Sequence, residues 1–209
     1  VGGRNFTGRG EGNEVAVQSS LFTEKGCERV IRYAFETARK RKRKKVTSVT
    51  KSNAQQYGMV LWDDVFQRVS KEYPDVETDQ WLVDAMAAHF VLHPEDLEVV
   101  VASNLLADIL SDLGSALAGS LGIAASANLN PDRRYPSMFE SVHGSAPDIA
   151  GKGIANPIGA IGSAALMLDH LGLKEEANQV NEAIKKATGS GALTIDIGGN
   201  TTTKEMADS

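Results

Sequence analysis

The chain of 209 residues contains a single cysteine, Cys27. An intramolecular disulfide framework is therefore excluded, and the usage fits a reducing compartment. Also missing is any run of the roughly 18 apolar residues that a membrane-spanning helix needs. There is no excess of positive charge either. The net charge is −5, which argues against a protein that coats nucleic acid. The opening Val1-Gly2-Gly3-Arg4 has no feature of an initiator or a signal peptide, and it reads as the interior of a longer chain. What is present is ordinary globular composition, 42% hydrophobic and 23% charged. That suffices for one or two domains with a sizeable core. A cytoplasmic location is the expectation.

The charge is uneven, because Arg39 to Lys45 are seven consecutive bases. Such a tract reads as a localisation signal or phosphate-binding patch. It reads equally as the solvated end of a helix, where cations complement the carbonyl end of the macrodipole. Thr23 is a plausible N-cap, and Val30, Ile31, Ala34, Phe35 and Ala38 recur at helical spacing just before the tract. The helix-end reading is therefore preferred.

Patterning predicts an open hairpin over 1–18, a β-branched strand at 46–50 and helices over 54–72 and 80–92. Tyr73-Pro74 and His93-Pro94 stop the two helices. A buried strand is expected at 98–102 and a helix over 104–118, followed by loop through 119–156. Helices over 157–171 and 174–187 precede another loop at 189–203. Short strands alternating with helices argue for an α/β fold. The domain seam is expected after residue 118, giving segments 1–118 and 119–209.

Four segments carry candidate chemistry. Asn104, Asp108 and Asp112 are four apart, so they share one stripe of a helix. Their neighbours Leu105, Leu106, Ile109, Leu110 and Leu113 are apolar around most of the circumference, so this helix is expected to be largely buried. Two carboxylates one turn apart in such a place repel each other unless a hard divalent cation such as Mg²⁺ or Mn²⁺ joins them. A narrow polar edge meeting water is the alternative. Lys51 lies just past the strand at 46–50, where α/β folds often place site residues. A lysine beside a metal could act as a base, although most lysines are simply on the surface. Asp84 lies among Trp81, Leu82, Ala85 and Met86, as a further ligand or as a surface acid. His89 and His93 receive no role. The run Glu140 to Pro157 is rich in small residues that let backbone amides approach a ligand closely. Asp148 within it is a candidate for a ribose diol, which would favour NAD. Gly151-x-Gly153 is only a weak dinucleotide fingerprint, since the third position is Asn156. An ordered surface loop is the plainer reading.

In this order the segments resemble the β-decarboxylating dehydrogenases, the family of isopropylmalate, isocitrate, tartrate and D-malate dehydrogenases. The likeness spans essentially the whole chain. It is most specific at Asn104–Asp112 and His143–Pro157, with support from Thr50-Lys51-Ser52-Asn53 and Val83-Asp84-Ala85. Gly2-Gly3-Arg4, Glu14 to Gln18, Phe22-Thr23, Arg32 to Glu36 and Ser126 to Pro131 look most like the tartrate/D-malate group. Isopropylmalate dehydrogenase is the competing reading, because its cofactor loop shares the His-Gly-Ser-Ala-Pro-Asp form.

The resemblance implies the family's own two-domain α/β fold, distinct from the Rossmann fold. It implies that Asp108 and Asp112 bind Mg²⁺ or Mn²⁺, and that Asp84 of a second subunit completes that site. Lys51 would cross the same interface as general base, through water, and Asn53 would lie near substrate and nicotinamide. His143, Gly144, Ser145, Ala146, Asp148, Ile149 and Asn156 would hold the adenosine half of NAD. The implied activity is NAD- and metal-dependent oxidation of a malate-type 2-hydroxy acid, with or without β-decarboxylation. The implied assembly is a homodimer with shared sites and no nucleic-acid or membrane partner. Residues 1–118 would then be the dimerisation, substrate and metal domain, and 119–209 the carboxyl half of the nucleotide domain. Two positions depart from the pattern: Ala107 where glycine is usual, and Ser141 where proline is usual. The family's tyrosine acid and substrate-gripping arginines precede Gly-Gly-Arg, so weak or no activity is expected of these 209 residues alone. A non-catalytic module that only dimerises and binds nucleotide is the rival expectation.

Overall fold

The computed structural model describes residues 3–5, 12 and 14–209. Apart from Gly12, the glycine-rich turn at 8–12 lies outside the described residues. Among the described residues, no helix is long and apolar enough to cross a membrane. The chain divides into two compact units, Val1–Ala107 and Asp108–Ser209. The division falls inside the helix that follows residue 103, ahead of the seam expected after 118.

The first unit begins with β1 (Gly3–Asn5) paired antiparallel to β2 (Val15–Val17). Helix α1 (Glu24–Arg39) starts at Thr23, whose hydroxyl accepts the Gly26 N–H at 3.1 Å. This N-cap satisfies one of the amides that a helix start leaves orphaned. Cys27, Ile31, Ala34, Phe35 and Ala38 form its buried stripe. Helix α2 (Gly58–Ser70) buries Met59, Trp62, Val65, Phe66 and Val69 at the same spacing. Phe35 stacks on Phe66 and Tyr73, with centroids 5.6 and 4.7 Å apart. Each large side chain so buried contributes about 1.5–3 kcal/mol.

Strand β3 (Lys45–Thr50) is the middle of a parallel sheet, between β4 (Glu77–Leu82) and β5 (Val99–Ala102). Val46 to Thr50 are all buried, as expected of a parallel strand covered on both faces. The Ser48 hydroxyl accepts the Trp62 indole N–H at 3.0 Å and so keys α2 to the sheet. One expectation needs correction here. Residues 80–82 belong to β4, and helix α3 covers only Val83–Leu92. Glu-Thr-Asp-Gln has no apolar alternation because β4 is the end strand of this sheet and mostly exposed, so its pattern does not distinguish it from the helix that follows.

Helix α4 (Asn104–Leu117) runs across the division between the units. It is not largely buried, contrary to expectation. Leu106 and Leu110 are buried, whereas Leu105 and Ile109 are 62% and 54% exposed. Apolar composition says that a helix can bury several faces; within this chain only one seam finds a neighbour.

The second unit contains a hairpin within the span read as loop. Strand β6 (Ala125–Asn128) pairs antiparallel with β7 (Met138–Ser141). Helix α5 (Ile158–Leu171) packs on this hairpin and on α6 (Lys174–Gly189). The Ser163 hydroxyl lies 2.6 Å from the Glu140 carbonyl and ties α5 to β7. A short 3-10 turn at Ile195–Ile197 leads to α7 (Thr203–Asp208). Thr202 and Glu205 form a reciprocal capping box at its start.

Candidate active site

In the first unit the fold brings two of the expected residues into contact. Lys51 follows the last residue of β3, and its carbonyl accepts the N–H groups of Ala54 and Gln55 in a tight turn. Asp84 sits in the first turn of α3, where the macrodipole favours a negative charge. Lys51 Nζ donates to Asp84 Oδ1 at 2.6 Å. That bond, and next a backbone hydrogen bond, hold the Asp84 carboxyl below its usual range. Asn53 is exposed in the same turn.

Asp108 and Asp112 are exposed on consecutive turns of α4. The donors are carboxylate oxygens, which suit a hard cation such as Mg²⁺ or Mn²⁺. Among the described residues, however, no three His, Cys, Asp or Glu side chains gather as a metal site within one copy of the chain.

In the second unit, the expected nucleotide segment is an exposed loop between β7 and α5. His143 Nδ1 lies 2.9 Å from the Gly144 carbonyl oxygen. A carbonyl oxygen can only accept, so Nδ1 is the donor in that bond. A Cβ added at Gly144 would meet nothing within 4 Å, and its φ is not left-handed. Neither packing nor backbone conformation requires glycine there, so the bare backbone is open to close approach by a ligand. Ala146 has φ 41, a costly conformation for a residue with a side chain. Ile149 N–H closes the next turn onto the Ala146 carbonyl at 3.0 Å. Ser145 and Asp148 are exposed, and Ile149 is half-buried.

Asn156 differs from the rest of the loop. It is buried, its Oδ1 accepts the Ile158 N–H at 3.0 Å, and its Nδ2 donates to Asp196 Oδ2 at 3.1 Å. Reading the sequence residue by residue passes over Asp196. Partial burial pushes its carboxyl up, but hydrogen bonds from Ser120, Thr194 and Asn156 outweigh this and hold it below its usual range. The Thr194-x-Asp196 spacing before Gly198-Gly199 is the available signal, since such residues bond locally within turns.

The basic tract is largely engaged within its own unit. Arg39 Nη2 donates to Asp75 Oδ1 at 2.7 Å, and its guanidinium lies 4.4 Å from the Tyr73 ring centroid. Arg43 Nη1 donates to the Glu95 carbonyl at 2.6 Å, and Lys45 Nζ lies 3.0 Å from Asp79 Oδ2. Lys40, Arg41 and Lys42 are exposed at the turn after α1.

A family model described as isocitrate/isopropylmalate dehydrogenase matches residues 2–209. The chain is 53% identical over 207 residues to a probable tartrate dehydrogenase/decarboxylase of Agrobacterium vitis, covering 99% of this chain and 57% of that protein. It is 49% identical over 213 residues to the D-malate dehydrogenase [decarboxylating] of Escherichia coli (strain K12), covering 58% of that protein. Among solved structures, an isocitrate dehydrogenase from Methylococcus capsulatus superposes with TM-score 0.91 at 39% identity, over 100% of this chain and 61% of that one. The chain thus has the α/β fold of an isocitrate dehydrogenase and spans little more than half the length of these relatives.

Proposed function

The chain belongs to the isocitrate/isopropylmalate dehydrogenase family, and on that premise we propose that it serves NAD-dependent, divalent-metal-dependent oxidation of a malate-type 2-hydroxy acid. The relatives named for tartrate and D-malate dehydrogenases, at 49–53% identity, favour a four-carbon 2-hydroxy dicarboxylate over isopropylmalate. The observation that carries the chemistry is the 2.6 Å contact between Lys51 and Asp84, which couples a base candidate to a ligand candidate.

In this reading Asp84, Asp108 and Asp112 hold Mg²⁺ or Mn²⁺. When bound, the cation supplies electrostatic acidification of the substrate hydroxyl. Lys51 would receive the hydroxyl proton through water, and NAD, when bound, would supply the hydride acceptor. Asn53 lines the substrate end. His143, Gly144, Ser145, Ala146, Asp148 and Ile149 approach the adenosine, Asp148 at the ribose diol. Asn156 closes that loop.

A homodimer is part of the proposal, with Lys51 and Asp84 of one copy serving Asp108 and Asp112 of the other. Leu105 and Ile109 expose an apolar stripe on the helix that carries both aspartates, a surface suited to a second copy. Residues 1–118 would then serve dimerisation, substrate and metal, and residues 119–209 the nucleotide.

The protein purified at its full natural length and supplied with NAD, Mn²⁺ and D-malate or tartrate tests the reading. NADH should form only with metal present, and Lys51→Met should abolish it while leaving Mn²⁺ bound. Undiminished turnover without metal, or in Lys51→Met, would overturn the assignment. A chain that binds NAD yet turns over none of these acids would instead be the non-catalytic module.

A further inference from the structure

The segment 193–203 grips the end of the candidate cofactor loop at three points. Asp196 Oδ2 accepts the Asn156 amide N–H at 3.1 Å. The Thr203 backbone N–H donates to the Gly153 carbonyl at 2.9 Å. The Thr203 hydroxyl donates to the Ala155 carbonyl at 2.5 Å. Three contacts thus cover Gly153, Ala155 and Asn156, immediately before α5.

The grip is itself braced. Thr194 Oγ1 donates to Asp196 Oδ1 at 2.5 Å, and Ser120 Oγ donates to Asp196 Oδ2. A Cβ at Gly122 would fall 2.8 Å from Asp196 Oδ2 and 2.9 Å from Asn156 Cβ, so the turn at 120–123 is pressed against both residues. Thr201 N–H returns to the Leu193 carbonyl at 2.9 Å and closes the segment on itself. The capping box of Thr202 and Glu205 then sets Thr203 at the first turn of α7. Both ends of the Asn156 amide are engaged, because its oxygen caps Ile158 and its nitrogen is committed to Asp196.

We propose that Asp196, with Thr203, is a positioning residue: it fixes the Gly153–Asn156 end of the loop, through Asn156, in the shape that receives the adenosine half of the dinucleotide. This rests on the NAD reading above. A loop satisfied only by water would sample many conformations and would have to be ordered on binding. The carboxylate removes that cost beforehand by bonding the Asn156 amide, which in turn caps α5.

An exchange of the two side chains tests it. Asp196→Asn removes the charge and leaves one accepting oxygen where two now serve Asn156, Thr194 and Ser120. It should weaken NAD binding about tenfold, the loss of one charge-assisted hydrogen bond. It should also speed hydrogen exchange of the backbone amides at 153–156, with α6 amides unchanged. Adding Asn156→Asp reverses donor and acceptor. The carboxylate then at position 156 can still accept from Ile158 N–H, and it now accepts from the amide at position 196. The double variant should restore both readouts to within about twofold of the parent, as expected when the pair acts as one unit. Thr203→Val, which keeps the backbone bond and loses only the hydroxyl, should show a weaker loss of the same kind. It serves as the independent variant if Asp196→Asn does not fold.

Unchanged exchange at 153–156 in both Asp196→Asn and Thr203→Val would overturn the proposal. So would a double variant with restored exchange but unrestored NAD affinity, which would mean that one of these side chains touches the nucleotide itself. If the parent chain binds no NAD, the nucleotide reading fails, and the exchange pattern alone still decides whether the grip orders the loop.

Discussion

The two units hold their candidate residues by different physics. In the first, Lys51 stands at the end of a buried parallel strand flanked by aromatic and aliphatic side chains, and one ion pair sets its direction. In the second, the Gly153–Asn156 end of the loop rests on hydrogen bonds to a carboxylate, a hydroxyl and a backbone N–H. An apolar core can hold a strand end rigidly with few specific bonds. A loop has no such support, and its backbone groups need individual partners. Equally well-formed candidate sites can therefore differ widely in their tolerance to substitution.

The contrast should be plainest in the core of the first unit. Phe35 is fully buried against Phe66 and Tyr73, so Phe35→Ala should cost about 3–5 kcal/mol in denaturant unfolding. A cost near 1 kcal/mol would remove the contrast. Next is Gly159→Ala in α5. The new methyl would lie 2.9 Å from the Gly122 carbonyl oxygen and 3.1 Å from that of Ala124. Overpacking of this kind costs about 1–3 kcal/mol. Unfolding of the second unit should report it, and unchanged stability would mean that the hairpin yields freely.

The two N-caps set the units side by side at equal chemistry. Thr23→Ala and Thr202→Ala should each cost about 1 kcal/mol. Helix α1 has 16 residues and a buried stripe, and should keep its exchange protection. Helix α7 has six residues and should lose it. Equal behaviour of the two would show that α7 is held by packing rather than by its cap.

Least stability is at stake in the pair of half-buried Lys51 and exposed Asp84, which solvent and salt screen. The folded carboxyl of Asp84 titrates below its unfolded value. Its contribution is therefore present above about pH 4 and lost as the pH falls through the folded value. Removing the ammonium in Lys51→Met should move the Asp84 carboxyl midpoint upward in an NMR titration. An unmoved midpoint would mean that the ion pair does not form in solution.

What is legible in the sequence follows the same division. Helix α1, its Thr23 cap and strand β3 can be read directly, because burial imposes a period on residues such as Ile31, Phe35, Val46 and Val49. Strand β4 cannot, since an exposed end strand has no reason to alternate. Leu105 and Ile109 suggest a buried helix, yet a side chain does not encode what will cover it. Lys51, Asp84, Asp108 and Asp112 are candidates through residue type and spacing, but only the fold shows Lys51 on Asp84. Asp196 stays hidden because its role depends on Asn156, forty residues away, and no local pattern carries such a contact.

Every catalytic role assigned to this chain depends on the carboxylates of α4 holding a divalent cation for 2-hydroxy-acid oxidation. Titration of the purified protein with Mn²⁺, read by electron paramagnetic resonance, decides whether they do. Saturable binding is expected, and it should disappear in Asp108→Ala and in Asp112→Ala with folding unchanged by circular dichroism. Binding that survives both substitutions would contradict the metal assignment.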